Sequence, residues 1–126
     1  MANILVIDDE PALRHLVRRV LERAGHRVAE AANGLKACRL IFPSGAFDLV
    51  VTDLVMPHLG GLELIKMVRA MAPQVRIIAM SGCGWRDSGE SGLARAAEYG
   101  ADVCLPKPFS PGLLLDRMEH LLAPLP

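Results

Sequence analysis

Runs of consecutive apolar residues constrain the fold of this chain more than any other feature of its sequence. Residues 3–7, 49–51 and 75–80 are largely apolar, and polar residues follow each run. Strands that are covered on both faces have this character, whereas strands with one face in water alternate apolar and polar residues. The runs therefore predict the central strands of a parallel sheet. Weaker patterns at 27–31 and 102–105 add two further strands.

Helical patterns separate the predicted strands. Apolar residues recur there at steps of three and four, which is the spacing of one helix face. These patterns cover residues 13–24, 35–41, 62–71, 93–99 and a last helix that starts at Ser110-Pro111. The alternation of strands and helices predicts the α/β class, a parallel sheet with helices on both faces and right-handed crossovers. We expect residues 1–126 to form a single domain.

The composition excludes several function classes. Lys and Arg together number 14, as do Asp and Glu, so no basic excess points to nucleic acid or anionic lipid. No apolar run approaches the ~20 residues of a membrane span, and the N-terminus lacks the pattern of a signal peptide. The three cysteines, Cys38, Cys83 and Cys104, have no metal-like spacing. We therefore expect a cytoplasmic protein with reduced thiols, no membrane span and no direct nucleic-acid partner.

Polar side chains stand at the carboxyl ends of four predicted strands. They are Asp8 and Asp9, then Asp53, then Ser81, and finally Lys107. The ligand crevice of a doubly wound sheet lies at this edge. Three neighbouring carboxylates repel one another, so either they hold their protons abnormally tightly or a cation lies among them. Mg²⁺ suits such oxygen ligands together with phosphate oxygens. A lysine and a hydroxyl beside them would bind a tetrahedral anion, and a carboxylate can act as the nucleophile in phosphoryl transfer.

Taken alone, several of these residues have plainer explanations. Asp9 is also typical of a helix N-cap ahead of Pro11, and Asp53 of a turn. Lys107 by itself is more often a solvated surface charge. The cap and metal-ligand roles of Asp9 are compatible, because a carboxylate has two oxygens.

Four motifs in chain order resemble the receiver domains of response regulators in two-component signalling. They are Asp8-Asp9, Asp53 with Met56-Pro57 and Gly61, Ser81-Gly82, and Lys107-Pro108-Phe109. The resemblance covers essentially the whole chain. It implies a CheY-like, flavodoxin-like fold in which the doubly wound five-stranded sheet has the strand order 2-1-3-4-5.

The resemblance also implies a role for each acidic residue. Asp53 would accept a phosphoryl group from a histidine of a sensor histidine kinase or a histidine phosphotransfer protein. Asp9 would ligate Mg²⁺ directly, and Asp8 would act mainly through a bound water. The main-chain carbonyl of Val55 would be a further ligand.

The residues expected around the phosphoryl group match the family except at one position. By the resemblance, Ser81 would donate a hydrogen bond to a phosphoryl oxygen, Lys107 would pair with it, and the Lys107-Pro108 bond would be cis. The family usually has an aromatic residue three positions before the lysine, where this chain has Cys104. A thiol is too small to replace that ring. We therefore expect the loop around Trp85 to carry the signal instead.

The predicted function is a phosphorylation-controlled switch, or a phosphorelay intermediate, that acts through contact with a downstream protein. We expect no enzyme activity beyond its own phosphoryl acceptance and dephosphorylation. The dephosphorylation would be slow, because neither Val55 nor Cys83 can orient an attacking water. A small-molecule phosphatase is disfavoured, since Val55 stands where its acid/base residue would be.

The chain ends soon after the last helix, which predicts a stand-alone receiver. A receiver fragment of a larger regulator and a phosphate-independent protein-binding scaffold are the alternatives. The three leucines of Leu113-Leu114-Leu115 cannot all face the core from one helix, because consecutive side chains point ~100° apart. This run predicts some apolar surface on the last helix, which fits a contact with a partner protein or a homodimer through that helix.

Overall fold

The structure is a computed structural model that describes residues 1–44, 47–54, 59–81 and 96–123. The strands are β1 (Asn3–Ile7), β2 (Arg27–Ala31), β3 (Leu49–Asp53), β4 (Arg76–Ser81) and β5 (Val103–Pro106). The helices are α1 (Pro11–Arg23), α2 (Gly34–Ser44), α3 (Gly61–Met71) and, for the last helix, α4 (Pro111–Leu122). Residues 96–99 are also helical.

The five strands form one parallel sheet in the order β2-β1-β3-β4-β5. This confirms the predicted α/β fold and its strand order. The bounds of β1 and β2 agree with the sequence patterns, whereas β4 and β5 each lie one residue further along the chain. β3 is longer than its apolar run and includes Asp53, and all of its residues are buried.

Alternate residues of the central strands enter two separate cores. Leu5 and Ile7 of β1 belong to a cluster beneath α2 and α3, whereas Ile4 and Val6 belong to a cluster beneath α1 and α4. Both faces of the sheet are therefore covered, and for this reason the strands are continuous apolar runs.

The first turn of α1 differs from the plainer interpretation of the sequence. Glu10, not Asp9, occupies the N-cap position, and among the described residues its side chain makes no capping hydrogen bond. The turn is closed by Asp8, whose Oδ1 accepts a hydrogen bond of 2.9 Å from the Glu10 N–H. The interpretation of Asp9 as the helix cap is therefore wrong, because the buried Asp8 closes the turn and Glu10 occupies the cap position.

Arg69 ties α3 to the beginnings of the last two strands. Its guanidinium donates to the carbonyl oxygens of Pro73, Val75 and Gly100. It also donates to Asp102 Oδ2 at 2.9 Å. These bonds fix the chain just ahead of β4 and β5, and so fix the strands that lead to Ser81 and Lys107.

The last helix begins as its sequence predicts. Ser110 accepts a hydrogen bond of 3.1 Å from the Leu113 N–H, which caps α4. Leu114 is buried, whereas Leu113 and Leu115 are half-buried and pack against the cluster beneath α1 and α4. Each of these two leucines therefore keeps part of its apolar surface, and a homodimer through α4 stays a prediction.

The described cysteines are thiols, as expected. Burial raises the pKa of both Cys38 and Cys104 above the ordinary value of a thiol. Cys83 and the loop around Trp85, which is predicted to carry the signal, lie outside the described residues. Within the described part of the chain, no helix has the length and apolar character needed to cross a bilayer.

Candidate functional site

The three predicted acidic residues meet at the carboxyl edge of the sheet. One oxygen of each of Asp8, Asp9 and Asp53 lies within 4.8 Å of the other two. The strand register explains this arrangement, because β1 and β3 are neighbours with Ile7 opposite Thr52. Asp8 and Asp53 are buried, whereas Asp9 is exposed. The cluster therefore has two carboxylates within the sheet edge and one on the solvent side.

Lys107 completes the cluster with a positive charge. Its Nζ lies 2.9 Å from Asp8 Oδ2 and 3.4 Å from Asp53 Oδ2. Its main-chain N–H donates a hydrogen bond of 2.7 Å to the carbonyl oxygen of Ser81, which holds the lysine beside the end of β4. The Lys107-Pro108 bond is cis, as the resemblance implies.

The acidic neighbours keep the Lys107 ammonium charged. Burial alone would lower the pKa of Lys107, but the hydrogen bond to Asp8 and the charges of Asp53 and Asp8 raise it above its ordinary value. The side chain is 18% exposed. A cation therefore lies within 3.4 Å of both buried carboxylates of the cluster.

Ser81 ends β4, the strand next to β3. Asp53 is opposite Met80 in the register, so Ser81 lies one residue beyond the partner of Asp53, and it is buried. The structure thus brings Ser81 to the same sheet edge as the acidic cluster and Lys107. Val55, the predicted carbonyl ligand, lies outside the described residues.

The donor set fits a hard divalent cation. Three carboxylates and one ammonium leave two negative charges without a matching positive charge. Mg²⁺ typically binds one or two carboxylates and completes its shell with water and phosphate oxygens. Asp8, Asp9 and Asp53 therefore have the chemistry and the spacing to hold one Mg²⁺.

Sequence reasoning missed one residue at this site. Arg14 Nη1 donates a hydrogen bond of 2.8 Å to the main-chain carbonyl oxygen of Asp8. In the helical pattern of α1, Arg14 falls on the polar face and therefore looks like a solvated charge. No local motif marks its contact, because the carbonyl that it binds belongs to the preceding loop.

Comparisons with known proteins give the family of this fold and site. The family model described as "Response regulator receiver domain" matches residues 4–119. "DNA-binding transcriptional regulator NtrC" of Azospirillum brasilense is 38% identical over 121 residues, which are 96% of this chain and 24% of that protein. "Response regulator MprA" of Mycobacterium sp. (strain KMS) is 40% identical over 120 residues, which are 95% of this chain and 50% of that protein.

A solved structure gives the same result. The crystal structure of a response regulator receiver domain protein from Clostridium thermocellum has a TM-score of 0.88 and 27% sequence identity to this chain. The match covers 97% of this chain and 94% of that one. The chain spans about a quarter of the length of the first of these curated relatives and half of the second. It belongs to the response regulator receiver domain family of two-component signalling.

Proposed function

We propose that this chain is a phosphorylation-controlled switch that accepts a phosphoryl group on Asp53 from a phosphohistidine of a sensor histidine kinase or a phosphotransfer protein. One observation carries the proposal. The Asp53 carboxylate lies 3.4 Å from the Lys107 ammonium and within 4.8 Å of the oxygens of Asp8 and Asp9. A nucleophile, a cation for the incoming anion and a set of metal ligands thus share one crevice.

Each residue has a defined task in the proposed transfer. An oxygen of Asp53 forms a bond to phosphorus as the P–N bond of the donor breaks, and the imidazole leaves with the electron pair. Lys107 stabilises the negative charge on the transferred oxygens, and the Ser81 hydroxyl donates a hydrogen bond to one of them.

Asp8, Asp9 and Asp53, with the carbonyl of Val55, would hold Mg²⁺. The bound ion would neutralise charge on the phosphoryl oxygens. Asp8 directly follows β1 and Asp53 ends β3, and these strands are neighbours, so the sheet register fixes the positions of these two ligands.

The phosphorylated chain would signal through contact with a downstream protein, from the cytoplasm and without contacting nucleic acid itself. Two arrangements serve this role, a stand-alone receiver and the receiver part of a larger regulator. The second is supported by the relatives, because the match covers only about a quarter of one of them and half of the other. In that arrangement, the rest of the protein would supply the output.

A phosphorylation assay tests the proposal. Incubation with acetyl phosphate and MgCl₂, followed by intact-mass measurement, should add one phosphoryl group to the wild type and none to Asp53→Ala. Excess EDTA should prevent the addition. Asp116→Ala is the matched control, because it removes an exposed carboxylate on α4 and should be phosphorylated like the wild type.

Two outcomes would count against this function. If the wild type gains no phosphoryl group, the chain is better explained as a phosphate-independent scaffold. If Asp53→Ala gains the group as readily as the wild type, the acceptor is a different residue.

We also infer that the chain catalyses no reaction other than its own phosphoryl acceptance and a slow dephosphorylation. Val55 and Cys83 carry no carboxamide or carboxylate that could act on an attacking water. The purified phosphoprotein should therefore lose phosphate over minutes or longer, close to the rate of the same protein denatured in dodecyl sulfate. Native loss within a few seconds would contradict this inference.

A further inference from the structure

Arg14 connects the acidic cluster to the second strand of the sheet. Its Nη1 donates to the main-chain oxygen of Asp8 at 2.8 Å, and its Nε donates to Glu30 Oε1, also at 2.8 Å. The Arg14 side chain is only 13% exposed, although it lies on the polar face of α1. Both hydrogen bonds come from the same rigid, planar guanidinium. The position of Glu30 therefore determines where Nη1 contacts the carbonyl oxygen of Asp8.

Glu30 is itself held in place on β2. Its side chain is 12% exposed, and Arg18 Nη1 binds Oε2 at 2.9 Å. His15 Nδ1 lies 3.1 Å from the same carboxylate. Burial alone would raise the pKa of Glu30, but the hydrogen bonds from Arg18 and Arg14 lower it, so the group stays an anion. Arg14 is therefore attached to a fixed, charged support.

The carbonyl that Arg14 binds belongs to the peptide unit between Asp8 and Asp9. A peptide unit is planar, so fixing its oxygen also fixes the plane from which Asp9 continues. The Asp8 side chain has its own partners, the Glu10 N–H and Lys107 Nζ. The Asp9 side chain is exposed, so its position depends on the direction of its main chain.

We propose that Arg14 is a positioning residue of the metal site. Because Arg14 is hydrogen-bonded to Glu30, it fixes the Asp8–Asp9 peptide. The orientation of that peptide determines the position of the Asp9 carboxylate relative to Asp8 and Asp53. This inference rests on the proposed function, because it assumes that the acidic cluster binds Mg²⁺.

The direction of one effect separates positioning from electrostatics. Arg14 carries a positive charge near the cation site, so a purely electrostatic view expects tighter Mg²⁺ binding when that charge is removed. Positioning predicts the opposite result. Residues that orient metal ligands typically change metal affinity by about 10- to 100-fold when they are replaced.

The test is the dissociation constant of MgCl₂, measured by isothermal titration calorimetry on the full chain. Arg14→Met should weaken binding about tenfold. Arg14→Lys should also weaken it, although the charge remains, because one ammonium cannot reproduce the two directed bonds of the guanidinium. Arg19→Met is the matched control. Arg19 is an exposed arginine on α1, so this variant removes an equal charge from the same helix and leaves the bonds of Arg14 and Glu30 in place. It should leave the affinity within about twofold of the wild type.

Three results would overturn the inference. They are unchanged or tighter Mg²⁺ binding by Arg14→Met, an equal loss in Arg19→Met, and, should Arg14→Met fail to fold, wild-type affinity in Arg14→Lys. Failure of the wild type to bind Mg²⁺ would overturn the proposed metal site itself and this inference with it. Loss confined to the Arg14 variants supports the positioning role.

Discussion

Replacing Lys107 with methionine is expected to slow phosphoryl acceptance by Asp53 about 100-fold, while Mg²⁺ binding becomes tighter. The Lys107 ammonium is 3.4 Å from Asp53, where negative charge would gather during transfer. Removing one such donor from a preorganised site typically costs about 10²- to 10³-fold in rate. The same substitution leaves Asp8 and Asp53 without their positive neighbour, so the acidic cluster attracts a divalent cation more strongly.

Two measurements on one variant check this prediction. The rate of mass gain with acetyl phosphate gives the first effect, at saturating MgCl₂, and calorimetric titration with MgCl₂ gives the second. Lys66→Met is the matched control, because Lys66 is an exposed lysine on α3 that lies over the Tyr99 ring. It should leave both quantities unchanged. A Lys107→Met protein that accepts phosphate at the wild-type rate would show that the lysine serves stability alone.

Gly61→Ala is expected to lower the free energy of unfolding by about 3 kcal/mol. Gly61 is buried at the start of α3, and a β-carbon there would overlap the carbonyl oxygen of Asp53 and lie 2.6 Å from the Leu54 Cα. Both contacts are main-chain atoms at the end of β3, so neither can rotate away as a side chain would. The melting temperature should fall by about 10 °C for a domain of this size.

Gly112→Ala provides the matched control for this substitution. A β-carbon at Gly112 would meet nothing closer than Ser110 Oγ at 4.0 Å. Alanine favours the helix over glycine by up to about 1 kcal/mol, so this variant should be as stable as the wild type or more so. Urea unfolding of both variants decides the matter. Equal stability of Gly61→Ala and the wild type would mean that α3 moves away from β3 at little cost.

Strand positions were the most predictable part of the fold. The apolar runs give β1, β3 and β4 because these strands are covered on both faces, and that condition leaves a direct mark on the sequence. The first residue of β5 was less predictable, because the sequence pattern starts at Asp102 whereas the strand starts at Val103. The Asp102 N–H donates to the carbonyl oxygen of Ile77, and the Asp102 side chain accepts a hydrogen bond from the Ile77 N–H. Asp102 therefore lies at the edge of the hydrogen-bonded ladder and is not part of the strand.

The site residues were predictable as a set, but their individual contacts were not. Strand order brings Asp8, Asp53, Ser81 and Lys107 to one edge, and that order follows from the alternation of elements together with the resemblance. Which of the two adjacent aspartates faces inward depends on the register of β1 against β3. The Arg14 contact with Asp8 depends on the position and rotation of α1 relative to β1, which a helical pattern alone does not determine.

The division of β1 between two clusters has an evolutionary consequence. Leu5 and Ile7 contact one helical layer while Ile4 and Val6 contact the other, so substitutions in the two layers share few neighbours. Effects at sites without shared partners usually add. A lineage can therefore remodel the helices on one side for a new binding partner without compensating changes on the opposite side.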